Sequence, residues 1–185
     1  MPPSIKTRAS IDDLYREKGK AELIGGRIIR FMASGLRPSR IALRIFLKLN
    51  EYADAAGRGE AYADGLGFAI PELASGRETF EPDAPYYVGP FPTDEMRFIE
   101  GPPIFAVEVR SEYDQGPSAK RLDYFEAGTL AVWDVDAVAG LIHLYRPDDP
   151  GRPVKFARGE VAHTEPAVPG WRFGVDDVFG PIAEA

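Results

Sequence analysis

Apolar residues along this chain follow two different rhythms. Between Pro38 and Ala56, Ile41, Ile45, Leu49, Tyr52 and Ala56 recur at spacings of four, four, three and four, the pattern of a helix with one buried stripe. Arg40, Arg44 and Lys48 form a second row at a spacing of four, which predicts a face turned to water or to a partner. Pro38 suits the first turn of that helix, and Gly57 stops it. Ile104-Phe105-Ala106-Val107 is instead an unbroken apolar run, as expected of a central strand covered on both faces. Glu108 follows it directly, and a carboxylate there costs free energy to desolvate unless it is paired or holds a metal.

Around these two segments the pattern predicts smaller elements. Ser10-Ile11-Asp12-Asp13 reads as a capping box opening a short helix to about Lys18. Ala21 to Met32 reads as a hairpin turning at Gly25-Gly26, with Glu22 near the start of its first strand. Short strands are predicted at 60–63, 67–70 and 86–88, among many Gly and Pro residues. A helix containing Lys120 follows the central strand after a loop, with Tyr124 one turn on and Leu122 and Phe125 as its core residues. Strands at 130–135, 141–146 and 154–157 come next, and the tail packs Trp171, Phe173, Val178 and Phe179. The order predicts an α/β (α+β) fold: a mixed central β-sheet flanked by helices, with an N-terminal helix and β-hairpin.

Composition narrows the class. The 185 residues suit one domain spanning 1–185, and 44% hydrophobic content suits a globular core. No apolar run approaches the ~18 residues of a membrane span, and the N-terminus lacks the apolar core of a secretory signal, so the cytoplasm is the expected location. The absence of cysteine excludes disulfides and cysteine zinc sites. A net charge of −7 argues against a protein that coats nucleic acid. Residues 23–50, however, contain no acid while carrying Arg27, Arg30, Arg37, Arg40, Arg44 and Lys48. That segment is either a solvated surface or a phosphate-facing one.

Candidate chemistry reduces to acids and one lysine. The two histidines, His143 and His163, sit among apolar or Pro-rich neighbours and read as structural. Neither a P-loop nor a dinucleotide fingerprint is present. What remains is Glu22, Asp83, Glu108 and Lys120. Hard oxygen donors of this kind suit Mg²⁺ or Mn²⁺. A nearby lysine can orient water or stabilise charge developing on phosphate.

The ordered series ELIGGRIIRFMA, Pro82-Asp83, GPPIFAVEVRS, AKRLDYFEAGTLAVWDVD and PAVPGWRFGVDDVFG resembles the Uma family of endonucleases. That family is a branch of the restriction-endonuclease-like PD-(D/E)xK superfamily, and the resemblance covers roughly residues 10–180. It implies a restriction-endonuclease-like fold and a Mg²⁺- or Mn²⁺-dependent endonuclease hydrolysing DNA by attack of water, without a covalent intermediate. It makes Asp83 the central metal ligand, Glu108 the second, the backbone carbonyl of Val109 a further donor and Glu22 a further ligand, directly or through water. It also implies a homodimer. Arg37, Arg40, Arg44 and Lys48 are the expected nucleic-acid contacts. Arg110 stands where the superfamily has lysine, so either Arg110 or Lys120 fills that role; the guanidinium cannot serve as a general base. Where family members often carry a histidine before the long helix, this chain reads Arg37-Pro38-Ser39-Arg40. The rival expectation is a catalytically inactive protein of the same fold that binds nucleic acid or a protein partner.

Overall fold

Side chains alternate across a strand, and one central strand therefore divides this molecule into two packed halves. The computed structural model describes residues 8–111 and 119–181. The loop expected after the central strand falls largely outside them. In chain order the elements are α1 (Ile11–Tyr15), β1 (Ala21–Ile24), β2 (Arg27–Arg30), α2 (Leu36–Ala56), β3 (Glu60–Ala61), β4 (Phe68–Ala69), β5 (Thr79–Phe80) and β6 (Tyr86–Tyr87). There follow β7 (Ile99–Glu100), β8 (Phe105–Arg110), α3 (Ala119–Ala127), β9 (Ala131–Asp136), β10 (Leu141–Tyr145), β11 (Val154–Phe156), β12 (Val161–His163), β13 (Arg172–Gly174) and α4 (Val175–Phe179).

The main sheet has the order β11-β10-β9-β8-β6-β3. Only β8 and β9 run parallel in it, in a register that sets Phe105 opposite Ala131 and Glu108 opposite Asp134. The crossover between them carries α3. A smaller sheet, β5-β4-β7, and the hairpins β1-β2 and β12-β13 complete the strands. On one face of the main sheet, Phe105, Val107, Trp133 and Val135 pack against Ile41, Ile45 and Leu49 of α2 and against Trp171 and α4. On the other face, Ala106 and Val132 meet Tyr124 of α3 and Phe68, Phe80 and Ile99 of the smaller sheet. Glu108 shares the face of Ala106 by strand alternation, which turns it toward α3.

The mixed sheet, the N-terminal helix with its capping box, the Gly25-Gly26 hairpin and the long helix all match the sequence pattern. Both turn glycines have positive φ, 58° and 70°, the backbone that a two-residue hairpin turn demands. Three details differ. The last buried residue of α2 is Ala53, and Ala56 is exposed, because a buried stripe over a helix this long drifts with the 3.6-residue turn. On α3, Leu122 is 56% exposed while Arg121, Asp123 and Tyr124 are buried. That helix buries charged residues beside Tyr124 rather than an apolar stripe: Asp123 pairs with Arg77, and the Arg121 guanidinium lies 3.6 Å from the centre of the Tyr145 ring. Strands β5, β7, β12 and β13 escape the sequence pattern, since two or three residues cannot establish a period.

Trp133 anchors the α2 face. It is fully buried, its ring centroid lies 5.1 Å from that of Trp171 and 5.5 Å from that of Phe105, and its Nε1 donates to the His163 carbonyl at 2.9 Å. Trp133→Ala should lower the unfolding free energy by about 3–5 kcal/mol, read from the urea midpoint at unchanged slope. A loss below about 1 kcal/mol would mean that this contact is not part of the cooperative core.

Candidate active site

Three separate chain segments bring their charged residues to the α3 side of the main sheet. The first is the hairpin. Ala21 and Leu23 of β1 bury against Leu14 of α1, so Lys20 and Glu22, two apart and on the opposite face, point inward. The hairpin is fixed along residues 76–81: Gly25 N–H donates to Gly76, Glu78 N–H to Leu23, and Leu23 N–H to the Thr79 hydroxyl. The second segment is the bend before β6. Asp83 N–H donates to the Val107 carbonyl at 2.9 Å, and the Asp83 carboxylate Oδ2 accepts the Val109 N–H at 2.6 Å. Those two bonds hold Asp83 against the strand that carries Glu108. The third segment is α3, whose first and second turns present Lys120 and Tyr124 on one face.

Lys120 joins the segments. Its Nζ lies 2.7 Å from Glu22 Oε1 and 2.7 Å from Glu108 Oε1. The Tyr124 hydroxyl donates to the same Glu108 oxygen at 2.6 Å. Glu22 is fully buried and spends every oxygen inside the protein: Oε1 also accepts the Glu81 N–H at 3.0 Å, and Oε2 pairs with Arg77. Arg77 in turn donates through Nε to Asp123 Oδ2 at 2.7 Å. A second ammonium completes the cluster. Lys20 Nζ is 2.5 Å from Asp83 Oδ1 and 2.9 Å from Asp64 Oδ1.

The local electrostatics follow from burial and pairing. Burial pushes Glu108 above the ordinary carboxylate value, Lys120 pulls it back, and the charge of Asp83 adds to the rise. Glu22 moves the other way: burial opposes its charge, but Lys120 and Arg77 outweigh that cost and hold its pKa below 4.5. Burial also opposes the charge on Lys120, yet Glu108 and Glu22 together keep it protonated to higher pH than usual. Lys20 is likewise raised, with Asp83 and then Glu108 overcoming burial. Burial, followed by the neighbouring charge of Glu108, raises the Tyr124 hydroxyl well above its usual value, so it remains a donor.

The structure therefore brings Glu22, Asp83, Glu108 and Lys120 to one locus. Arg110 is turned to the neighbouring strand, where its Nε pairs with Asp134 and its Nη2 lies 3.6 Å from Asp136; it is Lys120 that contacts Glu108. Arg37 and Arg40 are exposed. Arg44 reaches the Val178 carbonyl at 3.5 Å, and Lys48 pairs with Glu51 at 2.7 Å. Sequence reasoning missed Lys20, Asp64, Arg77 and Asp123. Lys20 had a signal, since it precedes Glu22 by two positions in a strand and must share its face. Arg77 had none, because it follows a Gly turn whose partner lies 55 residues away.

Among the described residues no group of three or more His, Cys, Asp or Glu side chains is arranged to hold a metal ion. Asp83 and Glu108 are nonetheless hard oxygen donors, the ligand type that Mg²⁺ takes. Mg²⁺ commonly binds through one or two carboxylates and completes its shell with water and substrate phosphate. Asp83 and Glu108 are close enough for their charges to interact. Of the described charges in the network, the acids Glu22, Asp64, Asp83, Glu108 and Asp123 outnumber the cations Lys20, Arg77 and Lys120 by two.

Removing one partner from a buried ion pair leaves an uncompensated charge, which costs about 3–5 kcal/mol. Glu22→Gln should lower stability by that amount at neutral pH. Because the folded protein depresses the Glu22 pKa, its contribution is fully present above 4.5 and disappears as pH falls through the lower folded value. The gap between wild type and Glu22→Gln in urea unfolding should therefore close with acidification. A gap independent of pH would contradict the ionised pairing.

Residues 9–176 match the Uma2 family, described as "Putative restriction endonuclease". No curated protein sequence matches. Among solved structures, the chain is similar to one described as a putative nuclease belonging to DUF820 from Anabaena variabilis ATCC 29413. The TM-score is 0.75 and the identity 16%, over 92% of this chain and 97% of that one; at that identity the likeness concerns the fold. The family match, in contrast, spans most of the sequence, and the chain belongs to the Uma2 family.

Proposed function

We propose that this protein is a metal-dependent endonuclease that hydrolyses DNA phosphodiester bonds, with Asp83 and Glu108 as the cation-binding pair. The observation that carries the reading is the double attachment of Asp83 to β8, through Val107 and Val109, on the strand that presents Glu108. The Val109 carbonyl is proposed as a further donor. A Mg²⁺ or Mn²⁺ ion held there would supply Lewis-acid polarisation of a phosphoryl oxygen and acidify water.

The protein's own groups have separable roles. Lys120 carries three N–H donors and gives two of them to Glu22 and Glu108. The third is available to a water or to a phosphoryl oxygen, where a fixed positive charge stabilises the negative charge that develops as water adds to phosphorus and the P–O bond to the leaving oxygen breaks. Held protonated, Lys120 donates and does not serve as the base. Tyr124 fixes the orientation of Glu108, and Glu22, enclosed by Arg77, Lys120 and the Glu81 N–H, positions Lys120 rather than binding the cation itself. The acid-free segment 23–50 supports a nucleic-acid partner, with exposed Arg37 and Arg40 as its contacts; Arg44 and Lys48 are engaged within the chain. Exposed Met32, Leu36, Leu43 and Leu47 offer apolar surface for the homodimer that this reading includes.

A second reading, an inactive nuclease-fold protein that binds nucleic acid or another protein, is favoured by one observation: the position of the superfamily lysine holds Arg110, which is committed to Asp134 and Asp136. Cleavage of plasmid DNA with Mg²⁺ or Mn²⁺ separates the two. The endonuclease reading predicts nicking that disappears in Asp83→Asn and Glu108→Gln and falls about 10²–10³-fold in Lys120→Met. Unchanged cleavage in Glu108→Gln would contradict it.

Cation binding should also depend on pH in a defined direction. Glu108 must lose its proton to bind a metal, and its pKa lies above 4.5 in the folded protein. Calorimetric Mn²⁺ affinity should therefore weaken as pH falls, with a midpoint above 4.5. A midpoint below that value would remove Glu108 from the binding pair.

A further inference from the structure

Lys20 is absent from the endonuclease reading, yet its ammonium is bound to one member of the acidic pair as that of Lys120 is to the other. Its ammonium is 2.5 Å from Asp83 Oδ1. The other Asp83 oxygen is already committed to the Val109 N–H, so Oδ1 is the oxygen left for a cation, and Lys20 holds it. The ammonium also bonds to Asp64 Oδ1 at 2.9 Å. The Lys20 side chain is 18% exposed, Asp83's 10% and Asp64's 39%. The lysine thus bridges an inner carboxylate and an outer one. Its flexible four-carbon stem allows the head to shift between them.

We propose that Lys20 is a resident counter-ion of the acidic pair, which a divalent cation displaces from Asp83 toward Asp64. The inference rests on the reading of Asp83 and Glu108 as the cation-binding pair. It follows from the competition of two positive charges for one carboxylate oxygen. In the absence of metal, Lys20 offsets the repulsion between the buried Asp83 and the half-buried Glu108. With a divalent ion present, the ammonium is itself repelled, and Asp64 offers it a partner one step nearer to solvent. Lys20 therefore lowers divalent affinity by the cost of its own displacement, while Asp64 reduces that cost. The device sets a threshold cation concentration for the site.

The test is Mn²⁺ binding to the full chain by calorimetry, with free Mn²⁺ followed in parallel by electron paramagnetic resonance. Lys20→Gln should tighten binding about tenfold or more, and Lys20→Met, which keeps the packing of the stem, should behave likewise. Asp64→Asn should weaken binding in the wild-type background. In the Lys20→Gln background the same substitution should have a much smaller effect, because there is no ammonium to receive. An equal effect of Asp64→Asn in both backgrounds would reduce Asp64 to a distant charge and overturn its receiving role.

Wild-type protein that binds Mn²⁺ with affinity unchanged or weakened by Lys20→Gln would overturn the counter-ion proposal and leave the metal pair intact. Absence of Mn²⁺ binding in wild type, Lys20→Gln and Lys20→Met alike would overturn the metal pair, and the counter-ion with it. Binding detected in the lysine variants alone would support both. Should neither lysine variant fold, Lys20→Arg decides. A guanidinium grips a carboxylate with two donors and should weaken Mn²⁺ binding several-fold, whereas unchanged affinity would contradict the displacement.

Discussion

The architecture turns on one ammonium group between two carboxylates. Lys120 lies at hydrogen-bond distance from both Glu22 and Glu108, and each of these acids comes from a different part of the chain. An ion taken out of water costs several kcal/mol even after the protein relaxes. Glu22 is fully buried and Glu108 is half-buried, so neither carboxylate is tolerable there without a close cation. The hairpin, the central strand and the crossover helix must therefore meet at a fixed distance for any one of them to be charged. The apolar packing on the α2 face fixes the sheet, but the charge network fixes what is docked on its other face.

That network has an interior and a mouth. Asp123, Arg77 and Glu22 form its buried end, with side chains 11%, 7% and 0% exposed. Their partners are all within the protein, and they hold the hairpin against residues 76–81. Glu108 and Lys20 form the more accessible end, continuing to Asp64 at the surface, and the buried Asp83 is tied to it through Lys20. On the proposed endonuclease reading, this difference leaves the enclosed Glu22 a positioning role and Glu108 a reacting one. Tyr124, a phenol held protonated by burial and by Glu108, can hold the orientation of a carboxylate without becoming a second anion.

Much of this was legible in the residues themselves. The long helix, the hairpin with its Gly25-Gly26 turn, the strand–helix–strand order around Lys120 and the C-terminal aromatic packing follow from period, turn chemistry and apolar runs. So did Glu108, because a carboxylate closing an apolar strand is conspicuous in one dimension. Lys20 was equally available, two positions before Glu22, once strand alternation is applied to charged residues as strictly as to apolar ones. Arg77 and Asp123 were not. Each is an ordinary surface type in composition, and only the docking of the hairpin on residues 76–81 and α3 makes them interior. The same cause misleads on α3, where Leu122 has the apolar character of a core residue while Arg121 and Asp123 are the ones buried. Strands of two residues, such as β5 and β7, are set by tertiary pairing and leave no local mark.

The claim at the centre of this account is that Asp83 and Glu108 converge on a single cation. A crystal soaked in Mn²⁺ and measured at the manganese absorption edge tests it most directly. One anomalous difference peak is expected in contact with both carboxylates, with Lys120 still paired to Glu22. The absence of a peak at that position, or a peak bound through other acids, would contradict it.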